Sequence, residues 1–297
     1  MTMTTMPNIK NNIAKSIQKL KITTIFQRRM NIDLRINNKS DFTFGVIKSD
    51  FANFQKLYNE FVKVFTDNMG GMGLPDLYSF WYTLKTLKPE LIIESGVWKG
   101  ATTWIIRKTL PSAKIICLDV LNVNGFIDKS ELTTYYVGES FVDFSQLTMP
   151  SFDKDGTLVF FDDHQNAPER LIQAHNKGIK WCLFNDNYPQ NCGSHMSISH
   201  VVQGDSRFNT NMYVEALNKF IEMMFIFPNI VGSEVRTMEG TFQTRSIFEN
   251  ESELKEIIND TPFPVYKDIG IEFITIDTSA FVKQSCRYRW NTLIKLT

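Results

Sequence analysis

The sequence predicts an α/β protein: a doubly wound, mainly parallel seven-stranded sheet with a C-terminal antiparallel hairpin and an inserted cap. Three observations carry this. Five short apolar runs, at 91–95, 114–119, 133–137, 157–161 and 179–184, alternate with helical patterns. The runs are nearly continuous in apolar residues, as expected of strands covered on both faces. Two later segments, 270–276 and 287–296, alternate apolar and polar residues, as an antiparallel pair does.

Ahead of the first strand, Phe51, Phe54, Leu57, Tyr58, Phe61, Val62 and Phe65 recur at helical spacing over 50–66. Asn68–Gly73 is a glycine-rich loop, readable as a lid or as a linker. Pro75 opens a second helix carrying Leu77, Phe80, Trp81, Leu84 and Leu87, closed at Lys88-Pro89. The strand at 91–95 runs into Gly96 and Gly100 and then into a helix at 101–109, stopped by Pro111. A helix from about Pro168 to Gly178 separates the fourth and fifth runs. From about 190 to 265 the strand–helix rhythm breaks, with a helical pattern near 212–225, a loop with Arg236 and Arg245, and a short acidic helix near 251–259. This stretch is expected to be an insertion over the carboxyl edge of the sheet.

The 297 residues suit an extension of about 40 residues followed by one large domain over 41–297. A hydrophobic content of 43% supports a substantial core, and 32 basic against 32 acidic residues give no global attraction to nucleic acid. No apolar run has the length of a membrane span. Cys117, Cys182, Cys192 and Cys286 show no metal or redox spacing, which points to a reducing, cytoplasmic setting. Residues 1–32 are basic, with Ile9, Ile13, Ile17 and Leu20 at helical spacing. That pattern suits a poorly ordered extension, or a helix packed on the domain or on a partner subunit of a homo-oligomer, and more weakly an organelle-targeting segment or a membrane-surface helix.

Polar residues gather at the carboxyl ends of the strands, where open α/β sheets bind ligands. Glu94 ends the first strand, and Gly96 and Gly100 give a backbone that can approach a ligand at a helix N-terminus. Asp119 ends the second strand about 25 residues on, near the spacing of a ribose-binding acid. Glu139 and Ser140 follow the third strand, Asp162, Asp163 and His164 the fourth, and Asp186 and Asn187 the fifth. The E-x-G-x-x-x-G spacing lacks the third close glycine of pyrophosphate-binding turns, which argues against a nicotinamide-dependent oxidoreductase.

Over 85–190 and the terminal hairpin, the chain resembles class I S-adenosylmethionine (SAM) methyltransferases. The resemblance implies a Rossmann-like fold and a SAM site formed by Glu94, Gly96, Gly100 and Thr102, with Asp119 on the ribose and Glu139-Ser140 near adenine. Trp98, inside the turn, could line the same pocket. Asp162-Asp163-His164 with Asp186-Asn187 further resembles metal-dependent O-methyltransferases of the sugar (macrocin and novobiocin) and catechol types. Mg²⁺ or Mn²⁺ would then be held by Asp162 or Asp163 with Asp186 and Asn187. Either register stays open: the catechol pattern favours Asp163, the sugar pattern favours Asp162 with His164 as general base. His195 and His200 fall in the presumed insertion, where either could touch the acceptor or be merely solvated.

The expected function is a SAM-dependent, metal-assisted O-methyltransferase acting on a sugar, glycan or similar small acceptor. A catechol-type enzyme is the alternative. A catalytically silent methyltransferase-like binding module would keep the fold without needing the strand-end acids.

Overall fold

The computed structural model describes residues 44–248, except 69, 124, 232–233, 238–239 and 244–245, together with residues 289–297. The basic N-terminal segment, the strand expected at 270–276 and the acidic helix near 251–259 lie outside the described residues.

Among the described residues, two helices precede the sheet: α1 (Phe44–Val64) and α2 (Leu74–Leu87). Pro75 sits in the first turn of α2, where its missing N–H costs nothing, and Lys88 ends the helix in a left-handed conformation. The sheet strands then follow as β1 (Leu91–Ser95), β2 (Lys114–Asp119), β3 (Thr133–Val137), β4 (Thr157–Phe161) and β5 (Trp181–Phe184). Helix α3 (Ala101–Thr109) joins β1 to β2, and α4 (Ala167–Asn176) joins β4 to β5. Asn166 caps α4 by accepting from the Glu169 N–H, and Gly178 closes it at φ +75°.

Beyond β5 come α5 (Ile198–Gln203), α6 (Asn211–Phe220) and β6 (Ile221–Ile226). Four short strands follow, β7 (Asn229–Val231), β8 (Glu234–Thr237), β9 (Gly240–Gln243) and β10 (Ser246–Phe248), and β11 (Thr292–Leu296) ends the chain. The main sheet has the order β3-β2-β1-β4-β5-β11-β6. Strands β1 to β5 are parallel, and β11 is antiparallel to both β5 and β6. The seven-stranded, mainly parallel, doubly wound sheet is thus present.

The antiparallel partner of the last strand differs from the sequence expectation. It is Ile221–Ile226, not a segment near 270. The helical pattern expected to reach Phe225 stops at Phe220, and the run from Ile221 on is extended. At the sheet edge beside β11, this Ile-Glu-Met-Met-Phe-Ile run gains sheet hydrogen bonds and buries Ile221 and Met224 on one face and Phe225 on the other, which outweighs a helical periodicity. Helices α5 and α6 pack with α4 as the ordinary crossover from β5 to β6.

Strand alternation divides the interior into two cores. Ile92, Leu158, Phe160, Leu183 and Leu293 face α1, α2 and α3. Ile93, Val159, Phe161, Cys182, Phe184 and Ile294 face α4, α5 and α6. Aromatic pairs fill the first layer, as where Phe80 of α2 meets Phe160 of β4 at 4.5 Å between ring centroids. Each such fully buried side chain contributes about 1.5–3 kcal/mol. Cys117 and Cys182 are wholly buried and free, as small apolar residues.

Candidate active site

The carboxyl ends of β1, β2, β4 and β5 open onto one cavity of about 950 Å³. Its floor is the β1–α3 turn. Gly96 has φ +95°, and a Cβ there would lie 2.4 Å from the carbonyl oxygen of Asp162. The glycine therefore lets the end of β4 close against the turn. Gly100 has φ +75° and starts α3, with the Phe126 carbonyl 2.1 Å from where its Cβ would be. Trp98 is left-handed at φ +51°, an uncommon state for a bulky side chain, and is 47% exposed in the cavity wall. His164 and Asp186 are also left-handed, at φ +53° and +56°. Strained non-glycine backbone thus gathers on this cavity, where it aims side chains.

Asp119 lines the cavity from the end of β2. Its Oδ2 accepts from the N–H groups of Val97 and Trp98 at 2.7 and 2.8 Å, and its Oδ1 accepts from Leu121. The carboxylate therefore shapes the glycine turn while keeping lone pairs toward the cavity. Gly70, Gly71, Met72 and Gly73 form part of the opposite wall, and Gly70 abuts the Trp98 indole.

Glu94 and Thr102 are placed differently from the sequence expectation. Glu94 is fully buried beneath the turn, bonded by the hydroxyls of Thr102 and Thr103, the latter at 2.6 Å, and by the Cys117 thiol. Burial pushes its carboxyl up to about 7, against these hydrogen bonds. Neither side chain lines the cavity; the pair braces the start of α3 from behind. Glu139 and Ser140 are exposed on a short 3₁₀ turn, with Ser140 bonded back to Val137, and they too lie off the cavity lining.

The strand-end acids divide into two sets. Asp163 Oδ2 accepts from Ser95 Oγ at 2.8 Å and from Arg170 Nε at 2.9 Å. Arg170, on α4, also grips Asp143, whose carboxyl that guanidinium holds well below the usual range. Asp163 is thus engaged in an ion-pair network that fixes β4 to α4. Asp162, His164 and Asp186 form the other set, each offering a donor atom within 4.8 Å of the others. Burial, and then the neighbouring Asp186, push the Asp162 carboxyl up to about 7. Burial works against ionisation of Asp186 as well, but hydrogen bonds from His164 and Tyr188 prevail and its pKa is lowered. His164 Nε2 lies 2.9 Å from Asp186 Oδ2, and that bond raises the imidazole to about 9 despite its own desolvation.

Asn187 is buried away from the cavity. Its Nδ2 donates to Thr292 Oγ1 and its Oδ1 accepts from the Ser199 N–H, so it ties the β5 loop to β11 and α5. Asn185, two residues earlier, lines the cavity instead, and its Nδ2 donates to Asp162 Oδ1 at 2.8 Å. Asn185 Oδ1 and Asp186 Oδ1 are buried without a hydrogen-bond partner. Orphaned oxygens beside two close carboxylates fit a hard divalent cation. Metal–oxygen distances of about 2.0–2.6 Å put ligand oxygens within about 5 Å of one another.

Of the other histidines, His200 is wholly buried and caps α5. His195 packs its ring 5.4 Å from that of His164. Sequence reasoning did not single out Asn185, Ser95, Asp143, Arg170 or Arg289. Asn185 had a signal in its place beside Asp186; Arg289 had none.

No family model matches the chain, and no curated protein matches it. Similar solved structures exist. The chain is 20% identical to the cmcI-N160 SAH structure, covering 38% of this chain and 60% of that one, with a TM-score of 0.32. It is 13% identical to human N-acetylserotonin methyltransferase in complex with SAM, over 93% of this chain and 66% of that one, with a TM-score of 0.32. It is 13% identical to the O-methyltransferase TomG from Streptomyces achromogenes, involved in tomaymycin synthesis, over 75% of this chain and 93% of that one, with a TM-score of 0.37. The chain thus spans less than two thirds of the length of the first two, and at these scores the likenesses carry no assignment of activity.

Proposed function

We propose that this chain is a SAM-dependent O-methyltransferase, assisted by a divalent cation, that modifies a hydroxyl of a sugar, glycan or similar small acceptor. The observation that carries the reading is the meeting of two sites in one cavity. The glycine turn with Asp119 lies on one side; Asp162, Asn185 and Asp186, with two orphaned buried oxygens, lie on the other. A volume of about 950 Å³ matches a site for a nucleoside-sized ligand and a small acceptor together.

On this reading Asp119 accepts from the ribose hydroxyls, and the N-terminus of α3 and the indole of Trp98 bound the rest of the cofactor. SAM supplies the methyl group. Asp162 and Asp186, with the amide oxygen of Asn185, would hold Mg²⁺ or Mn²⁺, whose chemistry is to lower the pKa of an acceptor hydroxyl and fix its orientation. His164 is the group placed to take the hydroxyl proton. Its bond to Asp186 keeps it protonated at neutral pH, so it serves as base only once that carboxylate is engaged elsewhere. Asp163 acts through its grip on Ser95 and Arg170, which fixes the turn carrying Asp162 and His164.

Calorimetry with S-adenosylhomocysteine tests the cofactor half. Binding is expected, and Asp119→Ala should weaken it by about 1–3 kcal/mol. Tight NAD binding with no S-adenosylhomocysteine binding overturns it. Acceptor screening with and without EDTA tests the metal half; undiminished methyl transfer in excess chelator rejects it.

A further inference from the structure

Two guanidinium groups line the cavity among the described residues, and they are not alike. Arg170 is saturated: Nε donates to Asp163, Nη1 and Nη2 to Asp143, and Nη1 also to Gln173. Arg289 has one ion pair among the described residues, with Asp186 Oδ1 3.6 Å from its Nε, which is beyond good hydrogen-bond distance. Asp186 is bound more closely, through its other oxygen, to His164. Arg289 therefore faces the cavity with most of its five donors unspent among the described residues.

Its backbone is held firmly. The Arg289 N–H donates to Asp76 Oδ1 at 3.0 Å. Two residues on, Asn291 Nδ2 donates to the Asp76 carbonyl at 3.0 Å and to Ser79 Oγ at 2.8 Å. Asp76, Ser79 and Asn291 are all buried. Between the anchors, Trp290 takes φ +58° and packs its ring against Tyr188 and Phe242. A left-handed tryptophan pinned from both sides is a mount that aims its neighbour, at some cost in backbone strain. What it aims is a planar fork suited to a carboxylate or phosphate.

We propose that Arg289 anchors an oxyanion, a carboxylate or a phosphate, on the molecule that receives the methyl group. This rests on the methyltransferase reading and narrows it to an acidic acceptor, of the hydroxy-acid or sugar-phosphate class. The guanidinium stands beside Asp186, so the anchored oxyanion would lie next to the hydroxyl to be methylated. A neutral acceptor closing the same space would leave a desolvated cation without a full counter-charge.

Inorganic phosphate is the probe. It is titrated by calorimetry into the full-length chain in EDTA, with and without saturating S-adenosylhomocysteine. The wild type is expected to bind phosphate at millimolar concentrations in both conditions. Arg289→Met should weaken it by about tenfold or more, the loss expected for charge-assisted hydrogen bonds, and Arg289→Lys by less. S-adenosylhomocysteine affinity should stay within about twofold of wild type in both variants, because the cofactor lies on the other strands. Three results overturn the proposal: no phosphate binding by wild type, equal phosphate binding by Arg289→Met, or a parallel loss of S-adenosylhomocysteine affinity, which would give Arg289 to the cofactor. Arg289→Lys keeps the test valid should the methionine variant fold poorly. Wild type that binds phosphate through Arg289 but never S-adenosylhomocysteine would keep the oxyanion site and overturn the methyltransferase reading.

Discussion

Glu94 shows how a single residue's surroundings set a measurable property. Its carboxyl is displaced upward from 4.5 to about 7 by burial. The folded state therefore holds the proton more tightly than the unfolded chain, so its contribution to stability is full below pH 4.5 and is lost as pH rises to about 7. The displacement corresponds to about 3 kcal/mol, as an order of magnitude. Glu94→Gln, neutral at every pH, is expected to flatten the denaturant-midpoint profile between pH 5 and 7 and to stabilise the protein at pH 8. A variant whose stability still falls over that window would show that another group is responsible. Asp186 after β5 and Asp163 after β4 make a second residue-level contrast. Asp186→Asn should abolish Mg²⁺ or Mn²⁺ binding in calorimetry with little loss of stability, since it relieves the buried Asp162. Asp163→Asn should keep metal binding and cost about 1–3 kcal/mol, because it weakens the bond to the buried Arg170. The reverse pattern would give the metal to Asp163.

At the scale of the element, the β1–α3 turn and the end of β4 behave as one unit. Gly96 combines a positive φ with a 2.4 Å approach to the Asp162 carbonyl. Gly96→Ala is expected to cost about 1–3 kcal/mol in strain and to move the β4 terminus. S-adenosylhomocysteine and metal affinity should fall together, although alanine touches neither ligand. Loss of one affinity alone would show that the two halves of the site are independent. The five parallel strands were legible because each is a compact apolar run between turn residues: Thr133–Val137 and Thr157–Phe161 fall where the sequence puts them. Strand β6 was not. Its Ile-Glu-Met-Met-Phe-Ile run continues the periodicity of α6, and only the slot beside β11 makes it extended.

For the whole molecule, the last strand is decisive. β11 lies inside the sheet between β5 and β6, with Leu293, Ile294 and Leu296 fully buried, and it pairs with residues more than a hundred positions earlier. Ending the chain at Asn291 should leave two open edges and a cavity in both cores, and so abolish the cooperative melt. A truncated protein that still melts cooperatively would show that the sheet closes without it. Ligands offer the complementary check: at a hundredfold excess over Kd, S-adenosylhomocysteine should add about 2.7 kcal/mol of stability.

By itself the sequence determined the strand–turn–helix order, the glycine turn, Asp119 at the second strand end and the gathering of acids on one edge. These follow from local composition and from the rule that parallel strands expose their carboxyl ends together. Tertiary structure alone decided how each acid on the cavity wall is engaged. Strand alternation ends with β4 at Phe161: beyond it the left-handed His164 gathers with Asp162 and Asp186, and Asp163 turns to Arg170. At β5 the left-handed backbone of Asp186 breaks that alternation, so Asn185 reaches Asp162 while Asn187 points to Thr292. Tertiary structure also buried Glu94 behind the turn and brought Arg289 beside Asp186 from the far end of the chain. Such contacts depend on backbone angles and chain crossings that no local pattern encodes.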